Sequence, residues 1–134
     1  MHKFPIRIYY EDTDLAGIVY YANYLKFIER ARSEWLRDLG VDQAALKDTG
    51  IVFAVRRVEA DYLSPARFDD LLTVETRPIQ LGGSRIVMGQ DVLRDGVPLF
   101  RAIVTVVCVA LNSGRPTRIP ASVAAALFPQ ESPG

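Results

Sequence analysis

After residue 50 the sequence becomes four successive strand-length segments, about 51–63, 70–80, 84–95 and 98–111, separated by little more than turn residues. Gly82-Gly83 and Asp95-Gly96 are hairpin dipeptides joining the last three, so those strands run antiparallel. Ser64-Pro65 and the charged pair Asp69-Asp70 mark the other corner. The only long helical pattern precedes this block. Consecutive strands after one helix predict a segregated α+β fold rather than alternating α/β units.

The helical pattern runs from about Tyr24 to Leu39. Tyr24, Ile28, Ala31, Trp35 and Leu39 share one stripe, widened by Leu25, Phe27 and Leu36. So wide a stripe predicts a helix wrapped by other structure. Asn23 is the expected N-cap, Gly40 the expected C′ residue, and Arg30 with Glu34 an exposed i,i+4 pair. Before the helix, residues 3–10 alternate, with Phe4, Ile6, Ile8 and Tyr10 on one face; Pro5 suits an edge strand. Residues 42–48 predict a short second helix, and 119–128 another with Pro120 near its start. The expected architecture is one domain over residues 1–128, an antiparallel curved sheet of about five strands around one long helix. A disordered tail is expected over 129–134.

Composition narrows the chemistry. Sixteen Lys and Arg balance sixteen Asp and Glu, so no global field favours nucleic acid or an anionic membrane. The longest uncharged apolar stretch, Ala102 to Gly114, falls short of the roughly 18 residues a membrane helix needs. Charges at Lys3, Arg7 and Glu11 interrupt what would be a signal-peptide core. With one cysteine, Cys108, no internal disulfide is possible, and a cytoplasmic protein is expected. Cys108 sits in an apolar strand and reads as a buried structural thiol. The single histidine, His2, lies at an N-terminus expected to be flexible. Histidine-dependent hydrolase triads and multi-ligand zinc sites therefore cannot be built. Catalysis must rest on carboxylates, backbone dipoles, tyrosines or hydroxyls.

Glu11, Asp12 and Asp14 stand directly before Gly17 and the helix start. Asp12-x-Asp14-x-x-Gly17 matches part of a calcium loop, but Ala16 stands where the fifth ligand should be and Asn23 where the bidentate Glu should be. Two readings stay open from the residues alone. One is a solvated acidic turn. The other is a carboxylate beside free helix N-terminal N–H groups, a minimal acyl-transfer site. Gly17 permits a tight turn or close substrate approach, and the apolar run Ile18-Val19-Tyr20 is unusual for a solvated loop.

The stretch from Tyr10 through Glu11-Asp12-Thr13-Asp14-Leu15-Ala16-Gly17-Ile18-Val19-Tyr20-Tyr21-Ala22-Asn23 to Tyr24 resembles the signature of the hotdog-fold acyl-CoA thioesterases. These include 4-hydroxybenzoyl-CoA thioesterase and the Tol-Pal-associated thioesterases. The likeness continues through Phe27–Arg32, Ser64–Asp70 and Val106–Val109, covering roughly residues 4–120. It implies hydrolysis of an acyl-CoA substrate with no metal or bound cofactor. Asp14 takes the family's catalytic position, as nucleophile or general base, and the Tyr21 amide falls on the oxyanion donor. Gly17, Tyr20, Asn23, Phe53 and Arg85 are the expected substrate-binding residues. The resemblance also implies a homodimer or homotetramer with sites at subunit interfaces, in line with the apolar character of both faces of 98–111. Two departures stand out. Many Tol-Pal-associated members carry His where this chain has Tyr21, and Gly82-Gly83-Ser84 replaces a basic cluster of the 4-hydroxybenzoyl-CoA enzyme. A binding module without turnover, holding acyl-CoA or a protein, is the alternative reading.

Overall fold

The computed structural model describes residues 1–129, so all but the first residue of the expected tail lies outside the described region. The elements are β1 (His2–Arg7), α1 (Asn23–Asp38), α2 (Gln43–Asp48), β2 (Ile51–Tyr62), β3 (Leu71–Leu81), β4 (Arg85–Arg94), β5 (Val97–Ala110) and α3 (Ala121–Leu127). The strands form one five-stranded sheet in the order β1-β3-β4-β5-β2, every neighbouring pair antiparallel.

The turn chemistry explains the meander. Asp95 and Gly96 both take positive φ, 50° and 79°, as a two-residue hairpin matched to strand twist requires. Strand alternation then places Leu72 and Val74 of β3, Ile86, Met88 and Val92 of β4, and Phe100, Ala102, Val104 and Val106 of β5 in one core. Against that face lies α1, burying Tyr24, Phe27, Ile28, Ala31, Trp35 and Leu36. Large apolar side chains buried in this way contribute roughly 1.5–3 kcal/mol each, so the stripe fixes how α1 lies on the sheet.

Several local expectations need correction. β1 ends at Arg7, and Tyr10 is 84% exposed, because residues 10–12 form a 3-10 turn closed by the Asp12 carboxylate accepting the Tyr9 N–H at 2.8 Å. Leu25 and Leu39 are exposed rather than part of the buried stripe. Asn23 is the first helical residue, not the cap; the cap is Ala22, with no side-chain bond. Glu34 pairs with Arg37 rather than Arg30. At the other end Gly40 (φ 82°) does close α1: its N–H donates to the Arg37 carbonyl and that of Val41 to Leu36.

β5 is also less uniform than its composition suggests. Its helix-facing residues are buried, whereas Arg101 and Ile103 on the opposite face are exposed. Beyond Val107, β4 no longer covers the strand. There the returning segment extends the ladder, with Thr117 donating to the Cys108 carbonyl and Ala110 to that of Arg115. Cys108 is fully buried, and burial pushes its thiol pKa up. His2 is not a loose end: it lies in β1, and its Nε2 meets the Asp38 carboxylate at 2.7 Å. That contact ties the edge strand to the C-terminal end of α1.

Candidate active site

The acidic segment forms a closed loop ahead of α1. Asp14 donates its N–H to the Ile18 carbonyl, and its own carbonyl accepts from Gly17. Its side-chain Oδ1 accepts the Ala16 N–H at 2.9 Å, an Asx turn. Gly17 sits at φ 80°, a left-handed conformation that a Cβ would strain although nothing crowds it. Isolated bridges Thr13–Val19 and Ile18–Arg67 hold the two sides of the loop against each other and against the β2–β3 connection. The Asp14 carboxylate is exposed, and its Oδ2 has no partner among the described residues.

Asp12 does the anchoring. Its carbonyl accepts from the Tyr20 N–H at 3.0 Å and from the Asn23 side-chain amide at 2.9 Å. One acceptor thus locks the loop's end to the helix's first residue. Asn23 also donates its backbone N–H to the Tyr20 carbonyl at 2.8 Å. That bond polarises the peptide group whose other end is the Tyr21 N–H. No described residue accepts from the Tyr21 N–H, which lies at the positive end of α1.

Aromatic rings surround this point. The Tyr62 hydroxyl donates to the Tyr21 carbonyl at 2.9 Å. The Tyr62 ring packs edge-on against Tyr24 and Phe100, with centroids 5.6 and 5.0 Å away. Tyr24 is nearly parallel to Phe100 at 5.0 Å, and its hydroxyl accepts the Ala66 N–H. Burial raises the pKa of Tyr24 and of Tyr62, so both stay neutral hydroxyls at pH 7. A cleft of about 320 Å³ opens beside Tyr21, walled by Ile18, Val19, Tyr24, Tyr62 and Ser64-Pro65. An exposed carboxylate thus stands in the loop that leads to an unspent N–H, and the apolar cleft lies beside that N–H. Chemically this can hold a carbonyl compound, polarise its oxygen, and bring a carboxylate or an activated water to its carbon.

Asp14, Gly17, Tyr20, Tyr21 and Asn23 share this loop and helix start. Phe53 and Arg85 do not join them within one chain. Phe53 faces the helix from the far end of β2, nine residues and roughly 30 Å of strand from Tyr62. Arg85 is exposed on the sheet face away from α1, because its neighbour Ile86 takes the core-facing position. Beneath α1, Gln90 and Thr76 are fully buried. Gln90 donates to the Ile28 carbonyl and the Thr76 hydroxyl, and its carbonyl accepts from Arg32. Sequence reasoning passed over this network. The signal was there: Thr76 shares the parity of Leu72 and Val74, and Gln90 that of Ile86, Met88 and Val92. Among the described residues, no cluster of three or more potential metal ligands occurs, and no helix is long and apolar enough to cross a membrane.

Comparison with known proteins places the chain in one family. The family profile described as the thioesterase-like superfamily matches residues 9–127. The acyl-CoA thioesterase YbgC of Haemophilus influenzae is 44% identical over 125 residues, 92% of each chain. The crystal structure of a probable thioesterase from Bartonella henselae is 40% identical, with a TM-score of 0.83 over 89% of this chain and 98% of that one. In fold alone, a 1,4-dihydroxy-2-naphthoyl-CoA thioesterase from Synechocystis superposes at a TM-score of 0.90, at 23% identity, over 98% of both chains.

Proposed function

The chain belongs to the thioesterase-like superfamily and is an acyl-CoA thioester hydrolase of hotdog fold, in which we propose that Asp14 and the Tyr21 amide carry the reaction. The observation behind this reading is the Tyr21 N–H, unspent at the start of α1 and one loop away from the Asp14 carboxylate. With the thioester carbonyl in the cleft, the Tyr21 N–H donates to its oxygen, and the helix dipole stabilises the charge that develops there. The Tyr20–Asn23 bond, already made, strengthens that donor without reorganisation at the moment of reaction.

Asp14 then acts in one of two ways. As a nucleophile, its free Oδ2 attacks the carbonyl carbon, expels coenzyme A as the thiolate, and leaves a mixed anhydride that water hydrolyses. As a general base, it takes a proton from a water that attacks the same carbon. Both routes end in a free acid and coenzyme A. Gly17 and Tyr20 shape the loop and cleft, and Asn23 holds the loop to the helix.

We read the protein as a homodimer or homotetramer. The helix-facing side of the edge strand β2 leaves Val55, Val58 and Tyr62 exposed by 49%, 37% and 50%, an apolar row that a second copy would cover. Phe53, on the same row, is then placed to serve a neighbouring copy's site rather than its own.

Thiol release from a panel of short, long and aromatic acyl-CoAs, with Asp14→Asn beside the wild type, tests the assignment. Asparagine keeps an oxygen to accept the Ala16 N–H, so the loop is retained while the charge is lost. The expected fall in kcat is at least ~10²-fold. A variant keeping more than about a tenth of wild-type turnover would remove Asp14 from this role, since that loss is too small for a positioned carboxylate.

A further inference from the structure

The pairing of β2 with β5 slips once. Val55 lies opposite Val106 and Arg57 opposite Thr105, which leaves Arg56 as an extra residue, a β-bulge. Successive strand residues ordinarily point to opposite faces, so two adjacent arginines would be parted. The bulge cancels that alternation. Val55, before it, faces α1, and Val58, after it and opposite the buried Val104, faces α1 again. Arg56 and Arg57, the two residues between, therefore both stand on the sheet face away from α1.

Arg85 shares that face. It pairs with Val107, which pairs with Ala54 on its other side, and Thr105 lies between Val87 and Arg57 in the next outward row. Two strand spacings across and two residues along put the Cα atoms of Arg85 and Arg57 about 12 Å apart. The floor between them is small: Ala54, Val107 and Thr105, the last presenting a hydroxyl.

All three arginines are exposed. Arg57 meets Glu59 at 3.1 Å, whereas Arg56 and Arg85 form no ion pair among the described residues. Residues 50–58, 79–90 and 103–119, which build this end of the sheet, contain no Asp or Glu. Glu59, Asp61 and Asp91 of the outward face gather further along, with Arg77 and Arg101. A chain of zero net charge thus carries a local positive field. With Glu59 matching one guanidinium, two positive charges stay uncompensated. A phosphate dianion or a pyrophosphate complements them better than a single carboxylate, and guanidinium forks suit phosphate oxygens.

We infer that Arg56, Arg57 and Arg85 form a binding site for an organic phosphate, built by the bulge that turns Arg56 and Arg57 to one face. Acyl-CoA carries phosphates at its nucleotide end, remote from the thioester, and a free phosphorylated nucleotide offers the same chemistry. Only the first of these occupants rests on the thioesterase reading. The site itself needs neither Asp14 nor Tyr21.

Calorimetric titration of the full chain with adenosine 3′,5′-bisphosphate, at pH 7 and low salt, tests the site. Saturable binding is expected. Arg56→Gln, Arg57→Gln and Arg85→Gln should each weaken it about three- to tenfold, and Arg56→Gln with Arg57→Gln more than tenfold. Arg30→Gln, the same loss of charge on the exposed side of α1, should leave it unchanged. No saturable binding, or an equal effect of Arg30→Gln, would overturn the proposal. An effect of Arg57→Gln without one of Arg56→Gln would overturn the shared face and the site with it. Asp14→Asn should bind as the wild type does, which keeps this test apart from the assignment of the catalytic carboxylate. KM for an acyl-CoA and for the matching acyl-pantetheine, which lacks phosphates, then names the occupant. A rise in Arg56→Gln confined to acyl-CoA identifies the substrate's own nucleotide end. Unchanged KM values beside arginine-dependent binding identify a separate phosphorylated ligand.

Discussion

The Tyr62 hydroxyl donates a hydrogen bond of 2.9 Å to the Tyr21 carbonyl oxygen, joining the end of the edge strand β2 to the residue just before the cap of α1. The two residues are far apart in sequence, yet the bond sets where the helix start, and with it the Tyr21 N–H, stands relative to the sheet. Tyr62→Phe removes the bond and keeps the ring. The expected loss is about 0.5–1.5 kcal/mol, at the lower end because Tyr62 is half exposed. Tyr62→Ala also removes the edge-on contacts with Tyr24 and Phe100, so its melting temperature should fall further. Thermal melts of both variants, with kcat measured alongside, separate hydroxyl from ring.

Gly17 holds the Asp14 loop closed at a backbone conformation that other residues adopt at a cost of about 1–2 kcal/mol. Space is not the obstacle, since a Cβ there meets nothing within 4 Å. Gly17→Ala should therefore fold with that modest loss, while kcat falls roughly tenfold or more as the carboxylate shifts. Gly17→Asn, which tolerates left-handed backbone better, should recover part of both. Equal kcat in all three proteins would show that the turn's conformation does not position the carboxylate.

Asp70 links stability to pH. Burial pushes its pKa up, but the Arg67 N–H and the Arg94 guanidinium, 2.7 Å away, outweigh this and hold it below the usual carboxylate value. A depressed folded-state pKa contributes stability that is present above the unfolded value of about 3.9 and lost as pH falls through the folded one. The wild type should thus exceed Asp70→Asn in stability at pH 6–7, with the gap narrowing below about pH 4. Urea melts across that range check the sign.

Gln90 is the most demanding polar residue in the core. Gln90→Leu keeps approximate volume but strips partners from the Ile28 carbonyl, Arg32 and the Thr76 hydroxyl. Leaving buried polar groups unpaired costs about 1–3 kcal/mol each, so a total loss of at least ~2 kcal/mol is expected. Thr76→Val removes a single acceptor, and Gln90 keeps the Ile28 carbonyl. Its loss should stay near ~1 kcal/mol. Chemical denaturation of both variants gives the comparison.

What the sequence determines by itself is what depends on local physics. Alternation in 70–80 and 84–95, the Asp95-Gly96 turn and the stripe from Tyr24 to Trp35 specify strands, hairpin and helix without long-range information, and the observed elements agree within one or two residues. The Asp14 loop is legible for the same reason. Its Asx turn, its left-handed Gly17 and its place before a helix all lie within about ten residues of chain. Tertiary structure decides everything that depends on which surfaces meet. Helical spacing says that Arg32 flanks the apolar stripe, but only the sheet laid over α1 makes it a cavity wall with Gln90 as partner. His2 looked free because nothing near it in sequence could hold it. Asp38 reaches it only once β1 lies beside the end of α1. The likeness groups Phe53 and Arg85 with the Asp14 site; within one chain, strand length carries Phe53 to the far end of β2 and side-chain parity turns Arg85 to the sheet face away from α1. Local periodicity fixes which way a residue points, and only packing fixes what it points at.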